Sequence, residues 1–223
     1  MAEIKFHIRL PIFVARQWIR HRTASVNEYS ARYSILDSEF YVPAASDIAT
    51  QTKGNRQGRG DVLNSEEARA VIELLKSDAQ RNYQHYIWML NEEGDSTRKG
   101  IARELARINL PLSTYTQWYW KIDLHNLMHF VYLRADAHTQ FEIRAYAEEI
   151  LKIMLSWVPV STEAFLEYRM NAVNISSTAA KAIALLLRGQ DASKELTKLS
   201  SRERNELSNS FGFPFTDSKV SRK

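Results

Sequence analysis

The sequence contains no cysteine among its 223 residues. Disulfides, thiolate metal sites and a cysteine nucleophile are therefore excluded. A zinc site would have to use the six histidines and carboxylates, but no His-Glu-x-x-His spacing occurs, so we predict no metal site. No apolar run approaches the roughly 18–20 residues of a membrane span, and the first residues lack the apolar core and cleavage site of a signal peptide. We therefore expect a cytoplasmic protein that does not contact a membrane.

The overall composition is typical of a globular protein that has more basic than acidic residues. Apolar residues make up 44% and charged residues 25% of the chain, which is enough for one sizeable core. The net charge of +4 suits an anionic partner such as a nucleotide or a nucleic acid. Charge and aromatic content leave open a basic nucleic-acid-binding protein, although no RNP, KH or zinc-finger pattern supports that alternative.

A dense polar segment, RHRTASVNEYSARY at residues 20–33, follows a helix that we predict at 12–22. Cations near a helix C-terminus complement its dipole, but this does not explain the polar residues that follow. Glu28, Ser30 and Arg32 occupy alternate positions and can point the same way in an extended segment. We interpret the segment as a site for a phosphorylated ligand.

Hydrophobic periodicity predicts an α+β fold, with a small mixed or antiparallel sheet flanked by long helices. The predicted strands are 3–10 and 112–121, with an extended segment at 40–43. The predicted helices are 12–22, 65–92 with Ser65 as N-cap and Gly94 as terminator, 97–108, 124–134 capped by Asp123, 138–157, 161–171, 177–188 and 200–207. A glycine-rich basic stretch at 52–60 lacks the spacing of a P-loop or dinucleotide loop, so we interpret it as a mobile surface loop.

The polar segment resembles the RHR-x7-S-x-R-Y motif of the flavin-dependent thymidylate synthases. The fuller form, RHRxxSxNExSxRY, matches at every fixed position. Residues 106–111 resemble the ARxxLP turn of this family, and residues 123–130 and 133–143 resemble its later helices. The resemblance implies a synthase-like domain at 1–174, followed by a helical extension at 175–223.

The resemblance implies reductive methylation of dUMP to dTMP. FAD reduced by NADPH would supply the hydride, and 5,10-methylenetetrahydrofolate would supply the carbon. The chain cannot use the alternative route to dTMP, which needs a cysteine thiolate. The resemblance also implies a homotetramer with shared active sites. A paralogue that methylates another pyrimidine nucleotide such as UMP, and an inactive truncated nucleotide-binding paralogue, remain alternatives.

The resemblance assigns a role to each site residue. Arg134 would stabilise negative charge that develops on the N3–C4–O4 edge of uracil. The implied cofactor contacts are Arg20, His21, Arg22, Glu28, Asp123, His125 and His129. The implied substrate contacts are Gln17, Arg20, Glu28, Ser30, Ala31, Arg32, Arg107 and Arg134. Arg32 and Arg107 would clamp the monophosphate, and Ser30 would contact the ligand, because no base that would activate it as a nucleophile is evident.

Two departures from the family pattern are visible. Asp123, His125 and His129 stand where many members carry Asn-x-Arg and a further Asn. The chain also begins almost at the strand that precedes the motif. We therefore expect an N-terminal segment of the family to be missing, including a histidine close to the flavin.

Overall fold

The computed structural model describes residues 2–52, 58–136 and 138–215. Its strands are β1 (Glu3–Pro11), β2 (Ser25–Glu28), β3 (Ala49–Gln51), β4 (Arg59–Val62) and β5 (Tyr115–Asp123). Its α-helices are α1 (Ile12–Trp18), α2 (Ser65–Leu90), α3 (Arg103–Ala106), α4 (Leu124–Arg134), α5 (Phe141–Trp157), α6 (Pro159–Phe165), α7 (Ser177–Leu187), α8 (Ser193–Leu196) and α9 (Ser201–Phe211). This architecture confirms the predicted α+β class.

The chain divides into two compact units between Pro159 and Val160. The first unit contains the five strands and α1 to α5, and the second contains α7 to α9. The predicted start of an extension at residue 175 stays a prediction. None of the helices in the described ranges combines the length and apolar character needed to cross a membrane.

The main sheet of the first unit has β5 at its centre. β1 pairs antiparallel with one edge of β5, and β2 pairs antiparallel with the other. Side chains alternate along β5, so that Thr116, Trp118, Trp120 and Ile122 are buried on one face. This alternation is the period of a half-buried strand.

The core of the first unit is aromatic. Trp18 of α1 is fully buried and contacts Trp118 and Trp120 edge-on, with ring centroids 6.0 and 5.2 Å apart. It also stacks on Phe130 of α4 at 4.6 Å. Aromatic pairs at these distances and angles are favourable beyond their buried area. They hold α1 and α4 against the same face of β5.

The predicted helix at 12–22 is too long. α1 ends at Trp18, and Arg20 and His21 donate backbone bonds three residues back, to Gln17 at 3.4 Å and Trp18 at 2.9 Å. Such bonds tighten a helix end into a turn. The polar segment therefore begins in a turn, because the helix stops where its buried tryptophan is anchored.

The polar segment was also predicted to have an extended backbone as far as Arg32, and this prediction is wrong beyond Glu28. β2 covers Ser25–Glu28, after which the chain turns. The Tyr33 amide donates to the Ser30 carbonyl at 3.1 Å. Ser30 and Arg32 are therefore presented by a turn that follows a short strand.

The predicted limits of α2 need two corrections. Its N-cap is Asn64, whose Oδ1 accepts bonds from the Glu66 and Glu67 amides at 3.1 and 2.9 Å. Its C-cap is Asn91, which adopts the left-handed conformation at φ 54°, so the helix ends before Gly94.

The predicted helix at 97–108 is wrong over its first half. Only Arg103–Ala106 is α-helical, followed by a 3-10 turn at Arg107–Asn109. The backbone at Gly100 lies against the end of α2, and the Ile101 amide donates to the Met89 carbonyl at 2.9 Å. Docking on α2 replaces the helical bonds that local propensity favours.

The stretch at 52–60 lies partly outside the described residues. Its flanks form an antiparallel pair, β3 with β4, in which Gln51 is opposite Arg59. Arg59 and Gly60 thus lie in a strand, contrary to the predicted loop. The predicted extended segment at 40–43 contributes only an isolated bridge between Phe40 and Thr114.

The later helices match the predictions with shifted ends. α5 begins at Phe141 instead of residue 138, and α6 passes into a π-turn at Leu166–Met170. The second unit has its own small core and includes α8, which was not predicted. The buried residues of that core are Ala179, Ala182, Ala192, Leu196, Leu199, Leu207 and Phe215.

Candidate functional site

The first site feature is a cavity of about 310 Å³ at the end of β2. It is lined by Ile12, Glu28, Tyr29, Ser30, Ala31, Arg32, Leu36, Arg107, Leu110 and Thr116. β2 and the following turn supply one wall, and the 3-10 turn after α3 supplies Arg107. The fold thus gathers five of the predicted substrate contacts, Glu28, Ser30, Ala31, Arg32 and Arg107, around one space.

Arg32 and Arg107 give this cavity its positive charge. Nη2 of Arg32 lies 2.9 Å from Oε2 of Glu104, and both side chains are at least half exposed. Exposed ion pairs of this kind contribute about 0–1 kcal/mol, so the bond is readily exchanged. Among the described residues no carboxylate pairs with Arg107. Two guanidinium groups with one weakly held partner suit a phosphate.

Glu28 is fixed by a hydrogen bond from the central strand. Oγ1 of Thr116 donates to Oε1 of Glu28 at 2.7 Å. Glu28 is opposite Trp118 in the β2–β5 register, so Thr116 is its diagonal neighbour on the same face. This places a carboxylate at the rim of a cavity that also contains two arginines.

Ser30 takes part in the local turn. Its Oγ accepts a bond from the Arg32 amide at 3.3 Å. No histidine or carboxylate among the described residues bonds to the hydroxyl in a way that would activate it. The geometry agrees with a contact role and not with a nucleophile.

The second feature joins two predicted site residues that are far apart in the chain. Nε of Arg134, in the last turn of α4, donates to Nε2 of His21 at 2.8 Å. Phe130 supports the His21 ring edge-on, with centroids 4.8 Å apart. Burial, and then the charges of Arg134 and His129, lower the pKa of His21 from 6.5 to about 4. His21 is therefore neutral near pH 7, with its proton on Nδ1.

Burial also lowers the pKa of Arg134. Because an arginine starts from so high a value, the guanidinium stays charged at neutral pH. A half-buried cation held by a neutral acceptor keeps its full charge for a ligand. A carboxylate partner, in contrast, would cancel much of that charge.

The third feature is a polar cavity of about 320 Å³ beside the start of β2. Its lining residues are Glu3, Arg22, Thr23, Ala24, Ser25, Lys121, Ile122 and Asp123. Nζ of Lys121 lies 2.6 Å from Glu3. Two cations and two hydroxyls are potential donors to a ligand, but the carboxylates of Glu3 and Asp123 line the same space and balance the two positive charges.

Asp123 has a structural task in this cavity. Its Oδ1 accepts the Asn126 amide at 3.0 Å, and its Oδ2 accepts the Asn126 side chain at 2.6 Å. These bonds lower the pKa of Asp123. The prediction that Asp123 caps α4 is thereby confirmed.

The remaining predicted site residues lie on α1 and α4. Oε1 of Gln17 is buried and has no hydrogen-bond partner among the described residues. A buried acceptor without a partner is costly, so this atom fits a donor from a ligand. Arg20 is exposed in the turn after α1, and His125 and His129 are exposed one turn apart on α4.

Several functional contacts were not predicted from the sequence. Thr116 bonds to Glu28, and Glu104 pairs with Arg32. The first contact depends on the strand register and the second on the path of the chain, and neither can be seen in the sequence. Glu142 is buried beside the predicted loop, where the hydroxyl of Tyr41 donates to it at 2.9 Å and the guanidinium of Arg59 pairs with it. The burial of Glu142 is visible only in the structure, and no motif in the sequence marks this residue.

The chain is similar to known proteins over most of its length. A family model described as thymidylate synthase complementing protein matches residues 1–160. A flavin-dependent thymidylate synthase of Gluconobacter oxydans (strain 621H) is 56% identical over 207 residues, which cover 93% of this chain and 67% of that protein. One of Rickettsia conorii (strain ATCC VR-613 / Malish 7) is 54% identical over 218 residues, covering 95% and 74%.

A similar solved structure is that of a UMP/dUMP methylase from Streptomyces cacaoi bound with 5-Br UMP. The TM-score is 0.66 at 34% sequence identity, and the match covers 74% of this chain and 73% of that one.

Proposed function

The chain belongs to the thymidylate synthase complementing protein family, and from this we propose that it is a flavin-dependent thymidylate synthase that methylates dUMP to dTMP. Its membership confirms the resemblance found in the RHR segment. The observation that carries the proposal is the cavity that gathers Glu28, Ser30, Arg32 and Arg107 from segments about 75 positions apart.

We assign the nucleotide to that cavity. The guanidinium groups of Arg32 and Arg107 offer paired N–H donors to a monophosphate, and the turn at Ser30 adds neutral donors. Gln17 does not line this cavity; it remains a proposed substrate contact, with an Oε1 acceptor that has no partner among the described residues. The Streptomyces cacaoi relative, solved with 5-Br UMP, supports a uridine monophosphate as the ligand class.

Arg134 is the residue that we propose for catalysis. The C5 carbon of uracil becomes nucleophilic when negative charge develops on the N3–C4–O4 edge. A guanidinium fixed beside that edge stabilises the charge without a proton transfer. The bond to His21 and the burial of Arg134 supply the fixed orientation and reduced solvation that such stabilisation requires.

The polar cavity at Arg22 fits part of a flavin dinucleotide. Arg22 and the hydroxyls of Thr23 and Ser25 would be the donors to a diphosphate, with Lys121 added only if the ligand displaces Glu3 from it. FAD supplies the hydride that no side chain can donate. We further propose NADPH as the reductant and 5,10-methylenetetrahydrofolate as the carbon donor, as the family resemblance implies. Arg20, His21, Glu28, Asp123, His125 and His129 remain proposed contacts of the flavin.

We also propose that the protein is a homotetramer with shared active sites, and that it is cytoplasmic. Several large apolar side chains of the first unit are exposed, among them Tyr33, Ile108 and Leu112. Exposed apolar surface of this kind is typical of subunit contacts. Shared sites would complete pockets that are shallow in one chain.

The test is an anaerobic assay of the purified protein with FAD, NADPH, methylenetetrahydrofolate and dUMP. We expect dTMP by mass spectrometry, and none when NADPH, methylenetetrahydrofolate or dUMP is omitted. The visible spectrum should show a flavin band that bleaches with NADPH. If the protein neither retains nor binds FAD, the proposal is wrong.

UMP is a second candidate substrate, since the Streptomyces cacaoi relative is described as acting on both UMP and dUMP. The same assay with UMP gives a ratio of kcat/KM values. A ratio of dUMP to UMP well above one assigns the deoxynucleotide, and a ratio below one assigns UMP.

A further inference from the structure

We propose that Thr116 is a positioning residue of this enzyme, which acts by fixing the Glu28 carboxylate toward the bound nucleotide and flavin. This inference rests on the proposed function, because it concerns the same cavity. Thr116 carries no role in the motif, which ends at Tyr33, 83 positions earlier in the chain.

The geometry makes Thr116 the rigid partner of the pair. It lies on the central strand, opposite Leu10 of β1, and only 6% of the residue is exposed. As a β-branched residue it has a restricted χ1 angle. Its hydroxyl therefore presents one donor from a fixed point in the sheet.

Glu28 is the mobile partner. It is the last residue of the edge strand β2 and is exposed. The backbone beside it is held, since the Tyr29 amide donates to the Gln117 carbonyl at 2.8 Å. A long side chain at such a site would sample several rotamers unless a bond selected one.

The bond leaves Glu28 available for a ligand. Thr116 donates its single proton to Oε1 at 2.7 Å, so Oε2 can accept an N–H or O–H group in the cavity. A hydrogen bond from a hydroxyl to an ionised carboxylate is charge-assisted, which makes it stronger than a bond between neutral groups. Thr116 thus orients the acceptor without contacting the ligand itself.

Thr114, two positions before Thr116 and next to the start of β5, provides a matched control. It is fully buried, and its Oγ1 has no hydrogen-bond partner among the described residues. Thr114→Val and Thr116→Val therefore make the same chemical change at two buried threonines that are two positions apart. Only the second removes a bond to Glu28.

The experiment measures dUMP binding by titration of the flavin absorbance of the holoenzyme, together with kcat and KM for dTMP formation. We expect Thr116→Val to bind FAD and to have the same melting temperature as the Thr114→Val control. Its kcat/KM should be about tenfold lower than that of the wild type. Thr116→Ser, which keeps the hydroxyl, should recover most of that loss.

A double-mutant cycle separates positioning from a structural role. In a Glu28→Ala background, which has no side-chain acceptor, Thr116→Val should change dUMP affinity and kcat/KM by less than twofold. Full additivity of the two changes would overturn the proposal, as would a Thr116→Val enzyme with unchanged kinetics. If wild-type protein binds dUMP but forms no dTMP, the proposed function fails while the coupling is still measured in binding.

Discussion

Arg134 and His21 form one hydrogen-bonded unit across 113 positions of the chain, with Nε of the arginine 2.8 Å from Nε2 of the histidine. The bond uses the guanidinium N–H that lies outside the terminal fork, so a ligand can still be bound through both Nη groups. A protonated imidazole has no acceptor and would repel the arginine. The arrangement therefore requires a neutral His21.

The first prediction concerns pH. The folded-state pKa of His21, about 4, lies below its ordinary value of 6.5. Only the unfolded chain binds this proton between those values, so the free energy of unfolding falls as pH is lowered through that window. Since the ring is half-exposed, we expect a contribution of roughly 1–2 kcal/mol.

Urea unfolding at pH 7 and pH 5 measures this contribution in the wild type and in His21→Gln. Glutamine can still accept from Arg134 but does not titrate. Carboxylates affect both proteins equally, so the difference between them isolates His21. Equal pH dependence in the two proteins would mean that His21 does not titrate as described.

The second prediction concerns the charge of Arg134. Arg134→Lys keeps a cation but loses the planar fork and the Nε donor that bonds to His21. We expect kcat to fall by about 100-fold or more, the effect of removing a preorganised donor from a developing anion. FAD content and melting temperature should change little. Arg202→Lys, at an exposed ion pair of the second unit, serves as the control and should leave kcat unchanged.

The third prediction concerns competition for Arg32. Glu104 lies 2.9 Å from this guanidinium, and a bound phosphate would have to share it or displace it. Glu104→Gln should therefore tighten dUMP binding by about two- to fivefold, the range expected for an exposed pair. Glu73→Gln on α2 removes the same charge at a surface pair with Lys76 and should have no effect. Weaker binding by Glu104→Gln would show instead that the acid orients Arg32.

The fourth prediction concerns the buried acid beside the β3–β4 pair. Burial alone would raise the pKa of Glu142, but backbone bonding and the bonds from Arg59 and Tyr41 lower it overall. Arg59→Met leaves a buried carboxylate without its cation, and we expect a loss of about 3 kcal/mol. Arg59→Met combined with Glu142→Gln should lose less than the single change.

Tryptophan fluorescence during urea unfolding is the measurement, because all five tryptophans lie before residue 160 and report the first unit alone. If the double variant is less stable than Arg59→Met, the pair is not the source of the effect.

The features that the sequence predicted well are those set by local rules. The Thr, Tyr and Trp content of residues 112–121 predicted a strand, which the structure has as β5 at Tyr115–Asp123. Asp123 was predicted as a cap, and its side chain bonds within one helical turn. Of the substrate contacts predicted within the RHR segment, Glu28, Ser30, Ala31 and Arg32 line the cavity and Arg20 does not. In each case the relevant neighbours are a few positions away or follow one period.

The features that the sequence did not predict depend on contacts between distant segments. The bond from Thr116 to Glu28 needs the strand register, and the bond from Arg134 to His21 needs both the end of α1 and the packing of α4. The helix predicted through Gly100 failed because docking on α2 outweighs helix propensity, which amounts to at most about 1 kcal/mol per residue.

The last prediction follows from that docking. A Cβ added at Gly100 would lie 2.1 Å from the Leu90 carbonyl oxygen and 3.2 Å from Cβ of Asn91. The first neighbour is backbone at a helix end, so it cannot rotate away. We expect Gly100→Ala to destabilise the first unit by about 3 kcal/mol or more, an overpacking cost, although alanine favours a helix.

Gly94 separates this clash from ordinary glycine strain. Its φ is +76°, and an added Cβ would meet nothing within 4 Å. Gly94→Ala should therefore cost only about 1 kcal/mol, the penalty for a left-handed alanine. Tryptophan fluorescence in urea ranks the two variants. Equal stability losses would mean that the loop after α2 moves away from the helix at little cost. A larger loss for Gly100→Ala places the first site cavity on a rigid support, because only the single turn of α3 separates that loop from Arg107.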